Sequence, residues 1–155
     1  MSRQKGMSLV ELVTCLVVIA VIGVLSVPYL KNTLRREYLN AEVRKIYSVL
    51  HLAKREAAKR NRPVVVQFEP DNFVAFEDGG VNGQGRGDWT RQPGETIVGE
   101  NHVESGMRLT TNFANNRVRF KGSTWGSGGT ICVWNKDQVY ARVILSPIGR
   151  IRIAK

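Results

Sequence analysis

Three rhythms of apolar and polar residues succeed one another along the chain. From Met7 to Val27 almost every position is apolar, and Pro28 closes the run. Beyond it Leu39, Val43, Ile46, Leu50, Ala53 and Ala57 recur at spacings of 4, 3, 4, 3 and 4, the signature of one face of an amphipathic helix. From Pro63 onward apolar and polar residues alternate, as strands do. The first run holds 21 residues and, at about 1.5 Å per residue, is long enough as a helix to cross a bilayer's hydrocarbon core. The second rhythm predicts a helix ending near Asn61-Arg62-Pro63, because the residue before proline resists helical geometry.

The third rhythm predicts several short strands. Val64–Glu69 and Phe73–Glu77 flank Pro70-Asp71-Asn72, a hairpin turn. Further strands are predicted at Met107–Thr111, Arg117–Phe120, Thr130–Trp134, Val139–Leu145 and Arg150–Ile153. Asn135-Lys136-Asp137-Gln138 and Ser146-Pro147-Ile148-Gly149 supply turns between the later ones. The predicted fold class is therefore α+β: a long N-terminal helix, half transmembrane and half amphipathic, packed on a small antiparallel β-sheet domain. The organisation expected is 1–6 as a leader, 7–28 as a membrane helix, 29–62 as an amphipathic helix and 63–155 as a β-rich domain.

One carboxylate interrupts the apolar run. An acid at the centre of a membrane helix costs roughly 2.5–3.5 kcal/mol, so Glu11 needs a partner or a purpose. Ser8 and Glu11 have the spacing of a capping box, which offers a plain structural purpose at the helix start.

Charge adds a polarity that the hydrophobic pattern does not reveal. The 155 residues carry a net +10. Residues 28–62 have ten bases and three acids, 63–104 have two bases and eight acids, and 105–155 have nine bases and one acid. A globular part with an acidic and a basic region can be oriented in an assembly or can attract a polyanion. On the basic side, Arg150 and Arg152 share one face of a strand, and so do Arg117, Arg119 and Lys121. If those two strands were neighbours, five cations would line one surface and could hold double-stranded DNA by its phosphates. A solvated strand face is the plain alternative.

Other chemistry finds little support. His51 and His102 stand alone, and Cys15 and Cys132 are far apart, with no metal-ligand spacing. No nucleophile–base constellation can be assembled, so no catalytic residue, cofactor or small-molecule substrate is expected. Gly79–Gly87 is glycine-rich but lacks a phosphate-loop lysine and a strand-to-helix context. Arg86-Gly87-Asp88 is too short a match to an adhesion motif to carry weight.

Basic Arg3 and Lys5, then Gly6-Met7-Ser8-Leu9-Val10-Glu11 and the apolar run, resemble the class III signal of type IV pilins and type II secretion pseudopilins. Ala53-Lys54-Arg55-Glu56-Ala57-Ala58-Lys59-Arg60-Asn61 resembles the helix-to-strand junction of the GspH/FimT branch of minor pilins. Val118-Arg119-Phe120, Gly128–Val133, Ala141–Ser146 and Gly149-Arg150-Ile151-Arg152 are similar to its C-terminal domain, whereas 79–104 matches poorly. Met7 and Ser8 stand where the family usually has Phe and Thr.

The resemblance implies a set of roles. A prepilin peptidase/N-methyltransferase would cut between Gly6 and Met7 and methylate the amine of Met7. Glu11 would pair with the terminal amine of a neighbouring subunit. Pro28 would bend or locally melt the helix. The protein would sit in the bacterial inner membrane by a single pass, domain in the periplasm, before joining other major and minor pilins or pseudopilins. As a type IV pilus minor pilin it would serve assembly or the tip, or capture DNA in natural transformation through Gly149-Arg150-Ile151-Arg152. As a type II secretion pseudopilin it would act at the pseudopilus tip. A rival from another class is a soluble secreted module, cleaved near Val24-Leu25-Ser26 as an ordinary signal peptide is.

Overall fold

The computed structural model describes residues 9–80, 86–122, 124–125, 128–136, 138 and 140–154. Gly6, Met7 and Ser8, and with them the leader and the capping box, lie outside the described residues. A long helix, α1 (Leu9–Arg60), comes first among the described residues. The chain divides between Glu37 and Tyr38 into two compact units.

The first unit is helical from Leu9, and the helix runs through Pro28 without a break. Proline has no N–H to donate one turn back, yet the neighbouring turns keep their helical form. The helix is therefore not locally melted at Pro28 as expected. From Leu9 to Val24 the large apolar side chains are 47–78% exposed, an apolar surface that nothing among the described residues covers. Its hydroxyls are turned inward on the backbone. Thr14 Oγ1 donates to the Glu11 carbonyl at 2.9 Å, and Ser26 Oγ to the Ile22 carbonyl at 2.8 Å. Such bonds spare an apolar surrounding any unpaired donor.

Among the described residues, the second unit holds the rest of α1 and nine strands: β1 (Pro63–Phe68), β2 (Asn72–Glu77), β3 (Ile97–His102), β4 (Arg108–Thr111), β5 (Arg117–Lys121), β6 (Thr124–Trp125), β7 (Gly129–Trp134), β8 (Tyr140–Leu145) and β9 (Ile151–Ala154). They form two sheets instead of the one expected, ordered β3-β2-β1-β5-β6 and β4-β7-β8-β9. Every pairing is antiparallel.

All six residues of the helical stripe are buried, Leu39 and Val43 through Ala57. They share one cluster with Val64 and Val66, Phe73, Phe120, Ile131, Val143 and Leu145, so the core sits between α1 and the inner faces of both sheets. Every member of that cluster falls within Tyr38–Lys155, and this unit therefore carries its whole core. Asn61 ends α1 with a φ of 50°, the left-handed geometry of a helix stop that asparagine tolerates. Arg60 and Arg62 then pair with the buried Glu77 at the end of β2, fixing the helix-to-strand corner.

Two strands escaped the sequence pattern. β3 reads Ile-Val-Gly-Glu-Asn-His, which has no alternation, and β6 has two residues. β3 exists because β2 templates it, and Gly99 lies against Leu52 and Val49 of α1.

Candidate functional site

Two places hold residues singled out by the sequence. The first is Glu11, in the opening turn of α1. Its neighbours Leu9, Val10, Leu12 and Val13 are all exposed apolar residues. Glu11 is thus a lone acid on a greasy helical surface.

The second place is the face of the four-stranded sheet turned away from the core. Ser146, Pro147, Ile148, Gly149 and Arg150 form a three-residue hairpin. The Gly149 N–H donates to the Ser146 carbonyl at 2.7 Å, and the Ser146 N–H to the Arg150 carbonyl at 2.9 Å. Gly149 has a φ of 74°, the left-handed residue that this hairpin requires. Lys54 Nζ of α1 donates to the Gly149 carbonyl at 3.0 Å, so a helix side chain pins the turn.

This turn sends Arg150 and Arg152 to the same side. Both line an open hollow of about 550 Å³, together with Asn112, Thr130, Ser146 and Ile148. The strand register extends the surface. Arg152 stands across from Ile144, which stands across from Thr130. The next row is Thr110, Cys132, Arg142 and Ala154, and the last is Arg108, Trp134 and Tyr140. Trp134 packs on Tyr140 with ring centroids 4.6 Å apart, and its indole N–H donates to Thr110 Oγ1 at 2.8 Å. The alternate residues of the same strands, Ile131, Val133, Val143 and Leu145, point into the core. Arg108, Arg142, Arg150 and Arg152 therefore occupy one sheet face with two aromatic rings. Burial pushes the Cys132 thiol above its ordinary range, and the neighbouring Arg142 opposes that shift. The one acid of residues 105–155, Asp137, lies outside the described residues.

The other three expected cations are elsewhere. β5 lies between β1 and β6 in the five-stranded sheet, whereas β9 is an edge of the four-stranded one. Strand pairing does not make the five cations one surface, and the condition for that patch fails. Arg119 places its guanidinium 4.4 Å from the Trp89 ring, and Arg117 Nη1 donates to Thr90 Oγ1 at 3.1 Å. The loop that follows β2 thus engages both. Lys121 ends β5 opposite Pro63. The residues that sequence reasoning missed are Arg108 and Arg142. Their positions on alternating strands were readable; that β4, β7, β8 and β9 would lie side by side was not. Among the described residues, no group of three or more His, Cys, Asp or Glu could hold a metal ion.

An exposed apolar helix in the first unit, and in the second an amphipathic helix packed on antiparallel sheets, are features of a pilin-like class of protein. The family described as Type II transport protein GspH matches residues 42–149, and the chain belongs to that family. The prokaryotic N-terminal methylation motif matches residues 1–27. No curated protein matches the chain. Two solved structures are similar in fold. The minor pseudopilin EpsH of the Vibrio cholerae Type 2 Secretion System has a TM-score of 0.59 at 15% identity, over 75% of this chain and 95% of EpsH. The Pseudomonas aeruginosa type IV minor pilin FimU has a TM-score of 0.60 at 14% identity, over 78% of this chain and 91% of FimU. The family is one of structural pilin and pseudopilin subunits.

Proposed function

We propose that the chain is a minor pilin of a type IV pilus, processed and methylated at its N-terminus and built into a filament through its helical anchor. A prepilin peptidase/N-methyltransferase cuts between Gly6 and Met7 and methylates Met7. Glu11 then neutralises the amine of a neighbouring subunit in an apolar filament core, where a paired charge is far better than a lone one. Before assembly the anchor holds the protein in the inner membrane with the β domain in the periplasm. Support comes from the methylation motif over residues 1–27 and from the exposed large apolar side chains of Leu9–Val24, among which Glu11 is the one charge.

The single observation that favours the pilus is the arginine-bearing sheet face. Arg108, Arg142, Arg150 and Arg152 form a cationic surface suited to capturing double-stranded DNA by its phosphates. Arg117, Arg119 and Lys121 belong to the other sheet and are not part of this surface. The second reading is a type II secretion pseudopilin acting at the pseudopilus tip. It is favoured by the fold shared with EpsH, which is as good as that shared with FimU.

Titration of labelled duplex DNA against residues 29–155 tests the DNA role. Arg150→Gln/Arg152→Gln and Arg108→Gln/Arg142→Gln should each weaken binding about ten-fold or more, and binding should fall steeply with salt. Unchanged affinity in both variants removes it. Deletion of the gene separates the machines, because loss of twitching or transformation marks a pilus and loss of protein export marks secretion. An N-terminus found at Val27 in place of methylated Met7 would return the soluble secreted module.

A further inference from the structure

β9 pairs with β8 on one side only, so its other side is a sheet edge. The hairpin fixes which backbone groups that edge presents. Ser146 donates to the Arg150 carbonyl, and hydrogen-bonded pairs in an antiparallel ladder recur at every second residue. Ile144 and Arg152 therefore face each other as a bonded pair, while the N–H and C=O groups of Ile151 and Ile153 point away from β8. The side chains along this edge are of two kinds. Ile153 stands across from Val143, which is fully buried, yet Ile153 itself is 40% exposed. Ile148 at the hairpin tip is 73% exposed. Arg150 and Arg152 are exposed on the opposite face, and among the described residues no carboxylate pairs with either.

We infer that the open edge of β9 takes an extended, carboxylate-bearing segment of a neighbouring filament subunit as an added strand. Strand addition satisfies the outward groups of Ile151 and Ile153 by main-chain bonds, and alternate side chains supply the selection. A segment alternating acidic and apolar residues would set its carboxylates against Arg150 and Arg152. Its apolar residues would cover Ile153 and so extend the core by one strand. A basic segment would be repelled from the same edge. The opposite edge of this sheet is less open, since the Leu109 N–H of β4 already donates to the Pro70 carbonyl. Four residues make a weak site alone, but a filament holds neighbouring domains at high effective concentration. Only the identity of the occupant as a filament subunit rests on the function proposed above; the edge itself does not.

The test uses residues 29–155, which contain the whole core, and two capped hexapeptides, (Val-Glu)3 and (Val-Lys)3. In the unmodified protein, (Val-Glu)3 should shift the amide resonances of Ile151 and Ile153 and slow their hydrogen exchange about five-fold or more at saturation. (Val-Lys)3 should bind about ten-fold more weakly or not at all. Ile153→Pro removes an outward N–H without touching the β8 ladder and should lose the peptide while keeping duplex DNA. Arg150→Glu/Arg152→Glu should lose the acidic peptide. Protection that appears at β3, equal binding of both peptides, or no response at millimolar peptide overturns the inference. Those outcomes leave N-terminal processing untouched, so the filament reading stands or falls separately.

Discussion

Single residues carry much of the precision in this molecule. A methyl group placed on Gly129 would fall 2.7 Å from Phe113 Cδ1 and 2.8 Å from Asn112 Oδ1, and closer still to Phe113 Cε1. Phe113 is itself buried in the core, so it has little room to yield. Gly129→Ala should therefore destabilise the β domain by about 1–3 kcal/mol, read from denaturant unfolding. Nothing in the sequence around Gly128-Gly129 announced this, because the aromatic ring arrives from 16 residues away. His51 gives a second expectation. Partial burial, then the nearby charges of Lys54 and Arg55, hold its pKa below the ordinary imidazole value of about 6.5. The native state then binds fewer protons than the unfolded one as pH falls through that value. Stability should be lost going from about pH 7 to about pH 5, and His51→Gln should reduce the slope. The effect is small, since His51 is largely in contact with solvent. A midpoint at or above the ordinary value in an NMR titration of the ring would contradict it.

At the scale of elements, the helical stripe was fully legible. A spacing of 3 and 4 can bury one side of a helix in only one way, and all six residues are buried. Leu50 is 0% exposed, and Leu50→Ala should cost about 2–5 kcal/mol, seen as a fall in the unfolding midpoint without a change in fold. An exposed neighbour such as Ser48→Ala should change stability by about 0.5 kcal/mol or less. Hairpins β1–β2 and β7–β8 were legible too, because turn residues separate two alternating runs. β3 was not. Its residues lack a pattern, and it is a strand only because the edge of β2 was available for pairing. The five-cation patch failed at this scale as well. Two arginine-bearing strands can each be read from the sequence, but which sheet each joins depends on partners tens of residues away. Glu42 shows the converse. It lies in the amphipathic helix, yet it is buried and paired with Lys45 at 2.6 Å, a position that the stripe alone assigns to neither side.

For the molecule as a whole, the decisive contrast is between an anchor with an exposed apolar surface and a β domain that carries its own core. The proposed assembly role places Glu11 at the centre of filament growth. Glu11→Ala should leave membrane insertion intact, since removing a charge favours the bilayer, but should lower incorporation into filaments about ten-fold or more, measured by immunoblot of sheared fibres. Normal incorporation of that variant would refute the pairing role. The sequence by itself determined the long apolar run, the amphipathic stripe, the end of α1 and the alternation of Arg150 and Arg152 with Ile151, because each depends on residues within a few turns of one another. Only the tertiary structure decided that there are two sheets, that Arg108 and Arg142 join Arg150 and Arg152 while Arg117 and Arg119 are claimed by a loop, and that β9 keeps an open edge. Those outcomes depend on non-local strand pairing, whose register arises from packing across the core and leaves no local trace in the chain.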